Sequence, residues 1–245
     1  MIFPAGLQGP DFNNCDYLMF NFDGAMLTLP ALRLPNNDHN IDDTSIIKDF
    51  RGIDTSDWDH DDDTNQAEHL LLLQHWNAEN IKSLDDIATC KLWIKLIEMH
   101  EPTQAENTLL SKSGFESAMV KLHSENLGTH NETHANNPDM PTFGNCYFGK
   151  SITRQHLNWF VVLLPLNSRS KPTQFLMIPI NNRFVLMAYI KVQSLHYAGR
   201  SNPYSEETLK QFEKDLFDDF LSHIKIEYSP ELIEKIQSLK NKMPT

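Results

Sequence analysis

One octapeptide has the spacing of a phosphate-binding loop. Residues Gly144 to Ser151 read GNCYFGKS, with two glycines separated by four residues and followed by Lys and Ser. Such a loop binds phosphate because it leaves a buried strand and enters a helix, whose first N–H groups surround the anion. Here the preceding residues are polar and include proline, and a strand-like run from Trp159 to Leu164 follows within a few positions. We therefore expect a turn at Gly149, an exposed Lys150 and no nucleotide or other cofactor.

The densest acidic run extends from Asp57 to Asp63 and reads DWDHDDD. Four carboxylates match positions 1, 3, 5 and 12 of a calcium loop: Asp57, Asp59, Asp61 and Glu68. Carboxylates at this spacing can surround Ca²⁺, which prefers six to eight oxygen ligands. Position 6 requires glycine but holds Asp62, and Glu68 also has capping-box spacing from Asn65. We predict a solvated acidic loop without a metal, with calcium binding as the alternative.

Other candidate chemistry is weaker. The segment from His130 to His134 reads HNETH, which differs from the HExxH spacing of zinc enzymes. The sequence has no GxSxG elbow, no CxxC pair and no glycine-rich dinucleotide motif. Cys146 or Ser151 could be combined with His156, but a chain with eleven histidines offers many such combinations. We predict no catalytic residue, and an enzyme assembled only in three dimensions remains the alternative.

Charge is distributed unevenly along the 245 residues, whose net charge is −12. Residues 1–149 contain 24 acidic and 8 basic side chains, whereas residues 150–245 contain 9 and 13. The acidic part would repel phosphate backbones, so nucleic acid is not an expected partner. Between Asp139 and Glu206 no carboxylate occurs, but seven cations do: Lys150, Arg154, Arg169, Lys171, Arg183, Lys191 and Arg200. That stretch could bind an anion.

Hydrophobic patterns predict the elements that position these residues. Tyr17–Phe22 and Ala25–Leu29 are apolar runs joined by Asp23-Gly24, which predicts a β-hairpin with a type I′ turn. Residues 35–64 predict a long acidic loop. Three runs after residue 157 predict an antiparallel meander: Asn158–Leu164, Phe175–Ile180 and Phe184–Val192. Pro179 indicates an edge position or a bulge in that meander, because proline cannot donate to a ladder.

Helical patterns occupy the middle and the end of the chain. Leu70–Trp76 predicts one helix, and a second follows from the three- and four-residue steps between Leu84, Ile87, Cys90, Ile94 and Ile97. Capping-box spacings predict a further helix from Thr103 to Asn126, broken near Gly114. Two C-terminal helices are predicted after Ser205 and Ser229.

These elements predict an α+β fold. The N-terminal hairpin and the C-terminal meander would share one antiparallel sheet, with a helical block between them and two C-terminal helices. We expect a single domain over residues 1–245, with a helical subdomain at 65–127 and a linker at 127–142. Three widely spaced cysteines and the absence of a long apolar segment or a signal sequence favour a cytoplasmic protein.

The charge distribution leads to one functional hypothesis and two alternatives. We predict a non-catalytic binding or inhibitor protein, of the immunity-protein or antitoxin kind, whose acidic surface docks on a basic partner such as a bacterial toxin or effector. The predicted contact residues are Asp57, Trp58, Asp59, Asp61, Asp62, Asp63 and Trp76. Both tryptophans could instead be core residues. The alternatives are an enzyme or small-anion-binding protein that uses the basic meander, and a structural subunit of a homo-oligomer without membrane contact.

Overall fold

The computed structural model contains thirteen strands and three helices within the residues that it describes. Those residues are 3, 6–32, 47–56, 58–60, 67–83, 85–99, 108–121, 147–164, 173–195 and 203–241. The strands are β1 (Leu7–Gln8), β2 (Asp16–Phe22), β3 (Ala25–Ala31), β4 (Ile47–Asp49), β5 (Asp59–His60), β6 (Ala67–Asn80), β7 (Asp86–Glu98), β8 (Tyr147–Phe148), β9 (Ile152–Arg154), β10 (Leu157–Leu164), β11 (Thr173–Pro179), β12 (Phe184–Ser194) and β13 (Lys225–Tyr228). The helices are α1 (112–121), α2 (Glu206–Ser222) and α3 (Pro230–Asn241), and a 3-10 helix covers Phe12–Asn14. The α+β class is confirmed.

The larger sheet has nine antiparallel strands. Its order is β1-β6-β7-β12-β11-β10-β8, with β5 paired to β6 and β9 paired to β10. The predicted meander is present as β10, β11 and β12. Strand β11 lies between β10 and β12, so it is an interior strand and not an edge strand. Pro179 is its last residue, a position where the missing N–H of proline does not interrupt the ladder.

The smaller sheet has the order β13-β3-β2-β4, and only its β2–β4 pair is parallel. It contains the predicted hairpin of β2 and β3. Gly24 has a φ of +80°, whereas Asp23 keeps a negative φ, so the turn is not type I′. The hairpin and the meander therefore belong to different sheets, which corrects the prediction of one shared sheet.

The predicted helices at 70–76 and 84–97 are wrong. Residues 70–76 lie in β6 and residues 86–97 lie in β7, and these long strands pair with each other. In β7 the buried residues alternate, as Cys90, Leu92 and Ile94, and this two-residue period places Lys91 on the opposite face. Glu68 is not a helix-capping residue, because its Oε2 accepts a hydrogen bond from Lys95 Nζ on β7 at 2.5 Å. The described part of residues 65–127 is thus mainly a β-hairpin.

Helix α1 lies inside the predicted helical segment from Thr103 to Asn126. It begins after Ser111, whose hydroxyl accepts from the N–H of Gly114 at 3.1 Å. Gly114 does not break the helix but lies in its first turn, where an added Cβ would be 2.2 Å from the carbonyl oxygen of Thr108. The predicted linker at 127–142 lies outside the described residues, and the division into domains stays a prediction.

Two hydrophobic clusters hold these layers together. The larger cluster joins both sheets to α2 and includes Leu27 of β3, Ile94 of β7 and Leu216 of α2. The smaller one lies on the other face of the large sheet, where Phe115 of α1 packs with Val185 of β12. Both faces of the central strands are therefore covered. Among the described helices, none has the length and apolar composition needed to cross a membrane.

Candidate functional site

The large sheet forks between β11 and β12. These strands pair over four residues, and the last pair is Leu176 with Ala188. Beyond that pair, β11 continues beside β10 as far as Thr173, and β12 continues beside β7 as far as Ser194. In the described pairing, β12 has no ladder pair with β11 after Ala188, although the Phe175 ring of β11 still lies 5.1 Å from the Tyr189 ring of β12. An opened strand edge presents backbone donors and acceptors that need other partners.

Helix α2 lies over this fork and encloses a cleft of about 1210 Å³. Apolar side chains form one part of the lining: Ile152, Leu176, Ile190, Val192, Leu209 and Phe217. Charged side chains form the other part, comprising the cations Arg154, Lys191, Lys210 and Lys214 and the carboxylates Glu206, Glu213 and Asp218. The cleft thus offers both charge signs beside an apolar wall, in a chain whose net charge is −12.

The sequence of α2 explains how the helix contributes two faces. Its N-cap is Ser205, whose hydroxyl accepts from the N–H of Thr208 at 3.2 Å. The residues that face the larger core recur at helical spacing and are buried: Leu209, Phe212, Leu216 and Phe220. The charged cleft residues also recur at helical spacing, because Lys210, Lys214 and Asp218 are separated by one turn each. One amphipathic helix therefore closes the core and lines the cleft.

Glu213 binds the open edge of β12. Its Oε2 accepts a hydrogen bond from the backbone N–H of Val192 at 2.7 Å. Burial raises the pKa of the Glu213 carboxyl, and the Val192 hydrogen bond and the nearby charges of Lys191 and Lys210 oppose that shift. A side-chain carboxylate thus takes the place that a neighbouring strand's carbonyl would have in a continuous sheet.

Two of the four cations in the cleft are already paired. Arg154 on β9 lies 2.8 Å from Asp218 on α2, measured from Nη2 to Oδ1. Lys210 Nζ lies 2.5 Å from Glu206 Oε1, one turn earlier on α2. Among the described residues, neither Lys191 nor Lys214 has a carboxylate within ion-pair distance. In that part of the chain, these are the two lining cations without an ion pair.

Only part of the acid-free stretch contributes to the cleft. Arg154 and Lys191 line it. Arg183 has a structural role instead, because its Nε donates to Glu98 Oε1 at 2.6 Å and its Nη2 donates to the carbonyl oxygen of Ile53 at 3.0 Å. Lys150 is exposed, as predicted. Arg169, Lys171 and Arg200 lie outside the described residues.

The residues predicted to contact a partner are mostly not described. Asp57, Asp61, Asp62 and Asp63 lie outside the described part of the chain, and of Asp59 only its place in β5, opposite Glu68, is described. Trp58 is 8% exposed and belongs to the larger core, with its ring centroid 5.6 Å from that of Phe184. Trp76 is half-buried on β6, opposite Cys90. The placement of Trp58 is that of a core residue.

The octapeptide with phosphate-loop spacing does not enter a helix. Its described residues form β8 and a short connection without regular secondary structure, and β9 follows, so the turn predicted at Gly149 is not seen. The N–H of Gly149 donates to the carbonyl oxygen of Val161 at 2.9 Å, and a Cβ at Gly149 would lie 2.8 Å from Val161 Cγ1. The close approach of Val161 thus requires glycine at position 149, and this packing accounts for the glycine without any role in phosphate binding.

The remaining motifs provide no assembled chemistry in the described residues. Ser151 and His156 both line a smaller cavity of about 350 Å³ beside α1 and α3, but no hydrogen bond joins them. No group of three or more His, Cys, Asp and Glu side chains in the described residues is arranged to hold a metal ion. The segment from His130 to His134 lies outside those residues.

Sequence reasoning missed the residues that define the cleft, Glu213 and Val192. From the sequence, Arg154 and Lys191 are only members of a stretch without carboxylates, and α2 is marked only by its Ser205 cap and its apolar stripe. The available signal was the set of charged residues at one-turn spacing on α2, next to that stripe. No family model, curated protein or solved structure matches this chain.

Proposed function

We propose that this chain is a non-catalytic binding protein whose cleft between α2 and the forked sheet holds the anionic group of a ligand. The observation that supports the proposal is the pair of cations, Lys191 and Lys214, that line the cleft without a carboxylate partner among the described residues. Two of the three lining carboxylates already pair with Arg154 and Lys210, and the third accepts from a backbone N–H. Lys191 and Lys214 are therefore left for an external anion.

The apolar wall indicates that the ligand is larger than a free inorganic ion. Ligand pockets typically enclose about 300–1,000 Å³ and combine apolar walls with a few polar groups. The cleft, at about 1210 Å³, lies slightly above that range. A ligand with an anionic end and an apolar body would use both parts of the lining.

The described lining favours binding over catalysis. None of the described residues that line the cleft is His or Cys, the side chains most often used as a base or a strong nucleophile near neutral pH. We therefore propose no reaction for this cleft.

Thermal unfolding in the presence of phosphate monoesters and small carboxylic acids tests the proposal. A ligand at about 100 times its dissociation constant stabilises a protein by about 2.7 kcal/mol, which corresponds to a rise of roughly 5–10 °C in a chain of this size. Lys191→Gln and Lys214→Gln should each reduce the rise, since each removes one charge-assisted hydrogen bond. Lys225→Gln is the matched control, because Lys225 is exposed on β13 in the other sheet.

Two results would contradict the proposal. One is a midpoint that no anion raises. The other is a rise that Lys191→Gln and Lys214→Gln leave unchanged, or that Lys225→Gln reduces equally, since the anion would then bind elsewhere.

We further propose that the acidic run from Asp57 to Asp63 docks on a basic protein, in the manner of an immunity protein or antitoxin that inhibits a bacterial toxin. The supporting observation is that the described part of the run is anchored: Trp58 packs in the core, and β5 pairs with Ala67 and Glu68 of β6. Because Trp58 is buried, the proposed contact depends on the carboxylates and on the half-buried Trp76. Such a charged surface accelerates encounter with a cationic partner.

A charge-neutralised variant tests this second proposal. We expect replacement of Asp59, Asp61, Asp62 and Asp63 by Asn to weaken capture of a basic partner from native lysate and to change the melting temperature little. The control neutralises four exposed acids elsewhere: Glu207, Glu227, Glu231 and Glu234. Equal capture by both variants would refute the proposal. Salt-dependent self-association in light scattering, lost only in the first variant, would identify the basic partner as a second copy of this chain.

A further inference from the structure

The open edge of β12 presents backbone hydrogen-bonding groups to the cleft. In an antiparallel strand, the N–H and C=O groups of every second residue point to the same side. The N–H of Val192 points into the fork, since Glu213 on α2 accepts from it at 2.7 Å. The backbone groups of Ile190 therefore point to that side as well. Among the described residues, Gln174 of β11 would continue the register opposite Ile190, and it is not paired there.

The apolar part of the cleft lining can accommodate the side chains of a bound peptide. Ile190 and Val192 line it from the sheet, and Leu209 and Phe217 line it from α2. A strand placed along the edge of β12 would direct alternate side chains toward the two faces of the sheet. One set would contact the apolar wall below α2, and the other would lie beside Tyr189.

We propose that the ligand of this cleft is an extended peptide with a free C-terminal carboxylate, which adds as a strand to the open edge of β12 beneath α2. This inference rests on the proposed anion-binding function of the same cleft. A carbonyl oxygen of the peptide would accept the hydrogen bond that the Val192 N–H now donates to Glu213. The terminal carboxylate of the peptide would lie at Lys191 and Lys214. Strand addition to an open sheet edge is a common mode of peptide recognition.

A peptide accounts for more of the cleft than a small anion does. The edge from Tyr189 to Gln193 is five residues long, or about 17 Å at roughly 3.3 Å per residue, and can pair with a peptide segment of similar length. A peptide also supplies N–H groups that can donate to Glu213, whereas a bare anion would be repelled by the Glu213 carboxylate. The free carboxylate matches the two cations that have no partner among the described residues.

Two pooled libraries of N-acetylated hexapeptides test the inference, one with free C-terminal carboxylates and one with C-terminal amides. After incubation with the full chain, bound peptides are identified by mass spectrometry, and the strongest binder is resynthesised in both forms. We expect the free acid to bind about tenfold or more tightly than its amide, the size of effect that one charge-assisted hydrogen bond gives. Lys191→Gln and Lys214→Gln should reduce this preference, and Lys225→Gln should not.

Backbone N-methylation of that peptide, one residue at a time, tests strand addition directly. Because only every second N–H of a paired strand faces its neighbour, we expect methylation to weaken binding at alternate positions and to be tolerated between them. Uniform sensitivity or uniform tolerance would overturn the strand-addition inference.

The two proposals fail in distinguishable ways. If small anions bind with the expected dependence on Lys191 and Lys214 but neither library does, the peptide inference is wrong and the anion-binding function remains. If acids and amides bind equally well, the terminal-carboxylate inference is wrong. If neither anions nor peptides bind, both proposals are wrong.

Discussion

The turn between β9 and β10 provides a quantitative test of the structure. Gln155 and His156 connect the paired residues Arg154 and Leu157, and their φ angles are +48° and +66°. A two-residue hairpin loop with both residues in the left-handed region is a type I′ turn, in which Asn-Gly is preferred. Gln and His carry a Cβ that makes this conformation unfavourable by about 1–2 kcal/mol per residue.

We expect the double substitution Gln155→Asn and His156→Gly to stabilise the protein. Glycine removes most of the strain at position 156 but adds roughly 0.5–1 kcal/mol of unfolded-chain entropy, and asparagine removes part of the strain at position 155. The net gain is about 1–2 kcal/mol. For a chain of this length, 1 kcal/mol corresponds to roughly 2–4 °C, so the melting temperature should rise by about 2–8 °C.

Thermal melts followed by circular dichroism, together with urea titrations, measure this gain. The matched control is Gln155→Ala with His156→Ala, which removes the polar atoms but keeps a Cβ at both positions and should give no comparable gain. If the Asn-Gly variant is no more stable than the Ala-Ala variant, the left-handed turn does not carry the strain assigned to it.

Three further outcomes are expected. Burial raises the pKa of Glu213 above 4.5, so the stability that protonated Glu213 contributes is present below pH 4.5 and is lost as the pH rises through the folded-state pKa. In urea titrations, the stability of Glu213→Gln relative to wild type should therefore increase between pH 4 and pH 8. A constant difference would contradict this. Gly149→Ala should destabilise by about 1–3 kcal/mol because of the contact with Val161, and the double variant with Val161→Ala should cost less than the sum of the single changes in a double-mutant cycle. Trp58→Ala should lower the free energy of unfolding by about 3–5 kcal/mol, whereas a change within about 0.5 kcal/mol would indicate a surface position.

Elements with local signals could be predicted from the sequence. The hairpin of β2 and β3 follows from two apolar runs around Asp23-Gly24, and α2 follows from the Ser205 cap and its apolar stripe. These signals depend on residues within a few positions of each other. The turn, capping and hydrophobic preferences behind these signals therefore do not depend on the tertiary contacts of the chain.

The strands β6 and β7 could not be distinguished from helices in this way. Cys90 and Ile94 are four residues apart, a separation that fits both a helical face and one side of a strand. The buried Leu92 and Leu96 between and after them establish the two-residue period. Leucine-rich segments such as Leu70 to Leu73 also favour helices intrinsically, and tertiary pairing overrode that preference.

The candidate site depends on contacts that are distant in sequence. The cleft exists because the part of β11 before Leu176 does not pair with β12, and no local feature of either strand marks that separation. Glu213 looked like one more polar residue on a helix surface, and only the fold brings it to Val192. Anion binding by the acid-free stretch stays a prediction. Arg154 and Lys191 of the cleft come from that stretch, but the sequence did not specify which of its cations would line one cleft.

The contacts that attach α2 to the rest of the fold bear on whether the protein or its proposed ligand would lose more conformational entropy on binding. The ion pair between Arg154 and Asp218 ties the helix to β9, and the Asn80 side chain donates to the Tyr204 hydroxyl at 2.8 Å just before the helix begins. Phe12 packs edge-on against Phe220 on the helix, with ring centroids 5.2 Å apart. These contacts hold α2 in place without a ligand, so under the proposed function most of the conformational entropy would be lost by the ligand. Such a site favours stiff ligands, and a cyclised or β-branched peptide should bind more tightly than a flexible, glycine-rich peptide that makes the same contacts.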